Sequence, residues 1–497
     1  MTERPPEFRR RIAVEAFSRD VRGVLRAVHA LLGPGREGWV VGGAVRDALL
    51  GRAAGDLDVA VPTGALELGR ALADGLGWSF VTLDAERGVC RIAGDLQIDI
   101  ADFRGPDLGA DLAGRDFTVN ALAASVAALV DEGMADVEDV TGGLSDLLAR
   151  RVRVCGPRSL AEDPVRTLRV AVLAVQPGWS VDPDVESAAR AAAPSLRESS
   201  AERVRDELVA LVNGPGAGQG FRLLDRLGVV DVVLPESAAM RSTPQPAPHR
   251  FDVWEHSLRA VEAMDEIAAR LDRLAPWGDE LAGHLAEGLG DGLGRAGALK
   301  LAALLHDVAK PETRSEADGR VRFIGHDVIG AERARGIAGR LRLSGRATGV
   351  LGRLVAQHLR PMHLTQAGRI TRRARYRFFR DLGEDARDLL LLALADAAGM
   401  DGRPPLEVWA GAGGAVLRSL MEGVAEASAE ASAPPLLDGD DVMAAVGIGP
   451  GPMVGRLLAD LREAQALGHI QTREEALASV RRATRPSLGA PRDGLAE

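Results

Sequence analysis

The sequence predicts an α+β protein: a head with a small mixed β-sheet, followed by all-helical neck, histidine-rich and tail domains. Three observations carry this. Short apolar runs bounded by turn residues crowd the first 150 positions. Beyond them, apolar residues recur at helical spacing. The chain also has 497 residues, more than one ordinary core accommodates, and a proline-rich break at 243–248.

Val14, Phe17, Val21, Val24, Leu25 and Val28 share one helical face, so residues 1–31 read as an amphipathic N-terminal helix. Gly33-Pro34-Gly35 ends it. In the head, 32–150, Trp39-Val40-Val41 reads as a strand, Gly42-Gly43 as a turn and 44–50 as a helix. Further strands follow at 57–61, 79–83, 90–92 and 96–101. Residues 151–242 read as a helical neck whose last helix ends near Pro235. Residues 249–400 are again helical, hold seven of the nine histidines and contain a Gly-rich, partly acidic loop over 275–298. A stretch rich in Ala, Ser, Glu and Pro, 424–436, reads as a linker inside a helical tail domain, 401–485. Residues 486–497 read as disordered.

Net charge is −10, which excludes a chain-wide basic coat and confines any nucleic-acid contact to a local patch. The two cysteines, Cys90 and Cys155, lack metal-ligand spacing, and a reducing compartment fits them. The N-terminus has no apolar signal core, and no apolar run reaches the roughly 18 residues of a membrane helix. A cytoplasmic protein without membrane contact is expected, and no obligate protein partner is evident.

The first chemical motif is the Gly42-Gly43 turn followed by Asp56-Leu57-Asp58. Alternate strand residues face one side, so Asp56 and Asp58 can hold one ion. Hard oxygen ligands suit Mg²⁺, which also takes phosphate oxygens. The turn opens a helix N-terminus that suits a triphosphate. Asp99 is a candidate third carboxylate, and two ions about 3.5–4 Å apart would activate a hydroxyl and stabilise a leaving pyrophosphate. A lone Gly-Gly turn or Asp-x-Asp carries little weight; their joint spacing carries more.

The run Gly42-Gly43-Ala44-Val45-Arg46-Asp47, with Asp56-Leu57-Asp58, resembles the head of the bacterial tRNA nucleotidyltransferase and poly(A) polymerase family. Four later blocks agree. Arg115-Asp116-Phe117-Thr118-Val119-Asn120 resembles its ribose motif, and Gly142-Gly143-Leu144-Ser145-Asp146-Leu147 its head–neck hinge. Glu162-Asp163-Pro164-Val165-Arg166 resembles its nucleobase motif, and the block from Glu202 to Glu207 the motif behind it. The resemblance implies nucleotide contacts from Gly42, Gly43, Arg46, Arg115, Asp116, Asn120, Asp163, Arg166 and Arg169, with catalysis by Asp56, Asp58 and Asp99. It implies CTP, ATP and tRNA as partners and addition of the terminal CCA. CC-only, A-only or poly(A) addition stay open. Asp163 accepts and Arg166 donates. Cytosine and adenine match that order, whereas guanine and uracil reverse it. Two departures stand out: Gly114 replaces the first arginine of the ribose motif, and Asp84–Arg91 diverges from the family's segment after the metal strand.

A second constellation comprises His256, His306-Asp307 and Asp396. It resembles an HD-type metal phosphohydrolase, with His326 and His358 placed as in forms that hold a second metal. Imidazole and carboxylate ligation suits Mn, Ni, Fe, Co or Mg. Such a domain implies hydrolysis of phosphates at RNA ends, or a silent RNA-binding scaffold. Finally, Arg333–Arg380 contains thirteen arginines and no acidic residue. Arg372, Arg373, Arg375, Arg377 and Arg380 are the candidate RNA contacts, with affinity that should fall with salt.

Overall fold

The computed structural model describes residues 11–52, 55–366, 370–432 and 434–484, in two compact units, 1–235 and 236–497. The first unit is built on an eight-stranded mixed sheet. Its strands are β1 (Arg11–Ala13), β2 (Trp39–Val41), β3 (Asp56–Val61), β4 (Ser79–Asp84), β5 (Val89–Ala93), β6 (Gln97–Asp102), β7 (Leu122–Ser125) and β8 (Met134–Asp139). Their order is β1-β8-β7-β2-β3-β6-β5-β4. Only β3 and β6 pair in parallel; the other neighbours are antiparallel.

Local sequence explains the centre of the sheet. Gly42 sits at φ +77°, a conformation that costs glycine nothing, and turns β2 into helix Gly43–Leu49. That helix returns the chain so that β3 lies against β2. Helix Ala65–Leu76 packs on β5 and β6 through Leu68, Gly69 and Leu72. A Cβ at Gly69 would lie 2.4 Å from Cys90 Sγ, so only glycine lets this helix seat so closely.

The beginning of the chain differs from expectation. Residues 11–16 form β1, which pairs with β8, and a 3₁₀ turn; the helix is only Arg19–Leu32, capped by Ser18. Its buried Val21, Val24, Leu25 and Val28 belong to the predicted stripe and Leu32 extends it, while Val14 and Phe17 of that stripe lie in and after the 3₁₀ turn, outside the helix. Residues 1–10 of the predicted helix and 486–497 of the predicted tail lie outside the described residues. The neck is helical as predicted, apart from a short parallel pair, Arg151–Val152 with Ser180–Val181. The unit boundary falls after Pro235, before the predicted limit of 242.

In the second unit, helix Val253–Ala269 packs against helices Arg295–Leu305 and Ala386–Asp401. The predicted loop over 275–298 instead contains helix Gly278–Leu285 and the start of Arg295–Leu305. Arg295 is buried there among Asp385, Asp388 and Glu287, so charge pairing orders a segment whose glycines suggested a loop. A hairpin, Arg314–Ala317 with Arg320–Phe323, interrupts the predicted all-helical region. The predicted linker at 424–436 is largely the end of helix Ala412–Ser432, because alanine and glutamate favour helix. The tail packs helices Gly439–Val446, Pro452–Ala466 and Arg473–Ala483 around Val442, Leu457, Leu461 and Val480. Among the described residues, no helix is long and apolar enough to cross a membrane.

Candidate functional sites

In the head, sheet register assembles the carboxylates. Asp58 lies opposite Val41 on β2 and opposite Asp99 on β6, while Asp56 lies opposite Gln97. A Cβ at Gly42 would stand 2.8 Å from Asp58 Oδ2 and 3.4 Å from Arg115 Nη1, so the glycine turn, Asp58 and Arg115 meet at one spot. Burial pushes the Asp58 carboxyl up to about 6, with Arg115 opposing and Asp99 and Asp56 adding to the rise. Burial and Asp99 also raise Asp56. This mutual repulsion is what a divalent cation would relieve, and the all-oxygen donor set fits Mg²⁺. The third carboxylate is engaged: Arg91 grips Asp99 through Nε and Nη2, each at 2.8 Å.

Beside the carboxylates lies a polar chain running from head to neck. Arg46 binds Asp47 through Nε and Nη2 at 2.9 Å and Asn120 Oδ1 through Nη1 at 2.7 Å. Asn120 Nδ2 reaches Asp116 Oδ1 at 3.4 Å, and Arg169 Nη1 donates to Asp116 Oδ2 at 2.6 Å. Arg169 also grips Glu207. Burial alone would raise Asp116, but Arg169 and the Phe117 N–H hold it below its usual value. Arg115 pairs with the buried Asp111 at 3.0 Å. Arg104 is a residue the sequence reading missed. Burial and the neighbouring charge of Arg115 push its pKa down, with Arg166 adding to the effect and Asp111 and Asp116 opposing it.

Asp163 and Arg166 come together, Nε to Oδ2 at 3.5 Å. Arg166 Nη1 donates to Ser159 Oγ at 2.7 Å, and Arg203 Nη2 to Asp163 Oδ2 at 2.6 Å. Asp163 Oδ1 is buried with no hydrogen-bond partner among the described residues. The expected hinge is firmly built: Asp139 accepts from the N–H groups of Gly142, Gly143 and Leu144, and the buried Asp146 holds Thr118, Arg151 and Arg153.

In the second unit the predicted ligands converge. His256, His306 and Asp396 form one group, and Asp307, His326 and His358 another, each with ligand atoms within 4.8 Å of one another. Asp307 links them: Oδ2 lies 3.2 Å from His306 Nε2, and Oδ1 lies 3.3 Å from His326 Nε2. A close helix approach makes this possible. A Cβ at Gly399 would stand 2.9 Å from Ala260 N, so only glycine lets the helix bearing Asp396 lie so near the one bearing His256. The ring geometry tests for a metal. His326 Nδ1 faces Phe323 O at 2.6 Å and His358 Nδ1 faces Val355 O at 2.7 Å. Those nitrogens therefore carry the protons, and two Nε2 lone pairs face each other at 3.2 Å. Only an added proton or a cation reconciles them. In the other group, burial disfavours charge on His306, but Asp307 and Asp396 outweigh it and raise its pKa to about 10. A proton there stands where an ion would. The sequence reading missed three neighbours. Lys310 Nζ lies 2.6 Å from both Asp307 Oδ2 and Gln245 Oε1, and His249 stacks edge-on against His256.

The arginine-rich stretch is more occupied than its sequence suggests. On helix Arg372–Leu382, Arg373, Arg377 and Arg380 all reach the buried Glu463, at 2.8, 2.9 and 3.5 Å. Arg372 donates to Leu467 O and Arg375 to Ser419 Oγ.

Comparison with known proteins adds the following. A poly A polymerase head domain matches residues 38–153, a probable RNA and SrmB-binding site of polymerase A matches 178–240, and an HD domain matches 253–398. The chain is 38% identical to the A-adding tRNA nucleotidyltransferase of Deinococcus radiodurans, over 89% of this chain and 94% of that one. It is 34% identical to the CC-adding tRNA nucleotidyltransferase of Thermus thermophilus, over 89% and 93%. The fold is that of the CCA-adding enzyme of Thermotoga maritima, solved with tRNA: the TM-score is 0.57 at 20% identity, covering 95% of this chain and 97% of that one.

Proposed function

The chain belongs to the tRNA nucleotidyltransferase family, and from that premise we propose that it completes the 3′ end of tRNA with CCA, taking CTP and ATP without a nucleic-acid template. The observation that carries this reading is the Asp163 carboxylate. One oxygen is fixed by Arg203 and the other is buried without a partner among the described residues, beside the donor Arg166. A buried acceptor next to a guanidinium matches the amino group and ring nitrogen shared by cytosine and adenine, and an unmatched base leaves a buried group unpaired. Asp56 and Asp58 would hold Mg²⁺, which supplies Lewis-acid stabilisation of the triphosphate. Gly42 keeps the backbone close to Asp58; Arg115 and Arg104 would provide positive charge for phosphates; Asn120 and Asp116 would orient the ribose.

The test uses tRNA ending before CCA, with CTP and ATP supplied singly and together, followed by sequencing of the ends. Sequential addition of two C and one A is expected. No addition under any condition would remove the proposal. A second reading, addition of A alone, is favoured by the 38% identity to an A-adding relative; it predicts extension only of tRNA already ending in CC.

The histidine cluster supports a second activity, metal-dependent hydrolysis of phosphates at RNA ends. His256, His306, His326, His358, Asp307 and Asp396 would hold the divalent ions, which supply the Lewis acid. His306 and then Lys310 hold Asp307 below its usual value against the cost of burial, and Lys310 also orients it.

A further inference from the structure

The contact that fits least easily with an ion site in the head is Arg91 on Asp99. Arg91 on β5, Asp99 on β6 and Asp58 on β3 stand in one cross-strand row. Two of the three are the carboxylates expected to bind an ion, and the third is a fixed cation. Arg91 takes both oxygens of Asp99 in a bidentate grip and remains about a third exposed, on the strand next to the sheet edge. A carboxylate paired in this way is already neutralised. An ion arriving alone gains little from it and meets the guanidinium's repulsion.

A nucleotide changes the balance. The guanidinium fork fits phosphate oxygens as well as it fits carboxylate, and a triphosphate carries more charge. We infer that Arg91 controls when Asp99 becomes an ion ligand: it holds Asp99 in the nucleotide-free head and passes to the triphosphate when nucleotide arrives, so that the third carboxylate is delivered with the substrate. Ion and nucleotide then bind as a coupled pair, each strengthening the other by the same factor. A cross-strand pair that only steadied β5 would leave ion and nucleotide affinity unchanged. Arg91 is thus a positioning residue acting through Asp99. The inference rests on reading the head as the nucleotidyl-transfer site, yet its primary test needs no turnover.

Mn²⁺ binding to the full chain, without nucleotide, is followed by the electron-spin resonance of the free ion. The head site is the one lost in Asp58→Asn, which separates it from the histidine cluster. Arg91→Gln should bind Mn²⁺ at the head about tenfold more tightly than the parent. Arg91→Lys, which keeps charge but loses the fork, should fall between. In steady state, Arg91→Gln should raise KM for nucleotide while kcat changes little. Head affinity equal to or weaker than the parent's in Arg91→Gln overturns the inference, as does tighter Mn²⁺ binding with unchanged KM. If Arg91→Gln melts early, Arg91→Lys decides by the same direction of change. A parent that adds no nucleotide would remove the proposed function and leave this measurement intact.

Discussion

In the head, an ion would be met by Asp56 and Asp58 from one strand, with the protein's own cations close by. In the second unit it would be met by His256, His306, Asp307 and Asp396 from tightly packed helices. The helical ligands already converge, and imidazole lone pairs oppose one another. The strand ligands do not close into such a group among the described residues: Arg91 holds Asp99, and burial keeps the Asp58 carboxyl near 6. The difference follows from the ions' chemistry. Borderline metals bind preformed nitrogen-rich sites. Mg²⁺ keeps several waters and shares its site with substrate phosphates. One donor set is already gathered without substrate; the other would be completed by it.

The sharpest way to break this comparison is a double dissociation. Asp58→Asn should lower nucleotide addition by at least about a thousandfold while leaving metal-dependent phosphate release unchanged. His306→Ala should remove phosphate release and the tightly held metal, read by elemental analysis, while addition continues at the parental rate. Loss of both activities in either variant would mean that the sites act as one.

Much of this contrast is legible in the sequence because each candidate ligand set contains a local pattern. Asp56 and Asp58 are two apart on a strand, and His306-Asp307 follows an apolar helix. What is not legible depends on register or on partners far along the chain. Only the β5–β6 register shows that Arg91 faces Asp99, and nothing near Arg373 indicates that it meets Glu463. Strand β7 hides because Leu-Ala-Ala-Ser has weak strand propensity. Strand β8 hides behind its acidic residues, although Ala135 and Val137 do alternate inward. The helix over the expected 424–436 linker shows composition misread as a connector, since the same residues favour helix.

The next effect in size concerns how the head is tied to the neck. Asp116 is buried and joined to Arg169, which also holds Glu207. Asp116→Asn should destabilise the first unit by about 3 kcal/mol, the low end for a broken buried pair because Arg169 keeps some solvent contact. Chemical denaturation reads this. The pH sign follows from the depressed folded pKa of Asp116. Its stabilisation is full above the unfolded carboxylate value, near 4, and is lost as pH falls through the lower folded value. The gap between parent and variant should therefore stay constant above about pH 5 and shrink on acidification below about 4. A gap that widens in acid would mean that Asp116 is not held ionised by Arg169.

The smallest expected effect tests whether the arginine helix serves the fold or RNA. Glu463 collects Arg373, Arg377 and Arg380, whose side chains remain about half exposed. Exposed pairs contribute little to stability, so Glu463→Gln should shift Tm by no more than about 3 °C. Its consequence for RNA is more informative. Removing the carboxylate leaves three guanidinium groups without their shared counter-charge. If that face meets a phosphate backbone, tRNA affinity should rise about two- to fivefold at low salt. The slope of log affinity against log salt should steepen by about one, because one more counterion is released. Fluorescence anisotropy with labelled tRNA between about 50 and 200 mM salt separates the cases. An unchanged slope would assign these arginines to holding helix Pro452–Ala466 in place and move the RNA contact elsewhere in the chain.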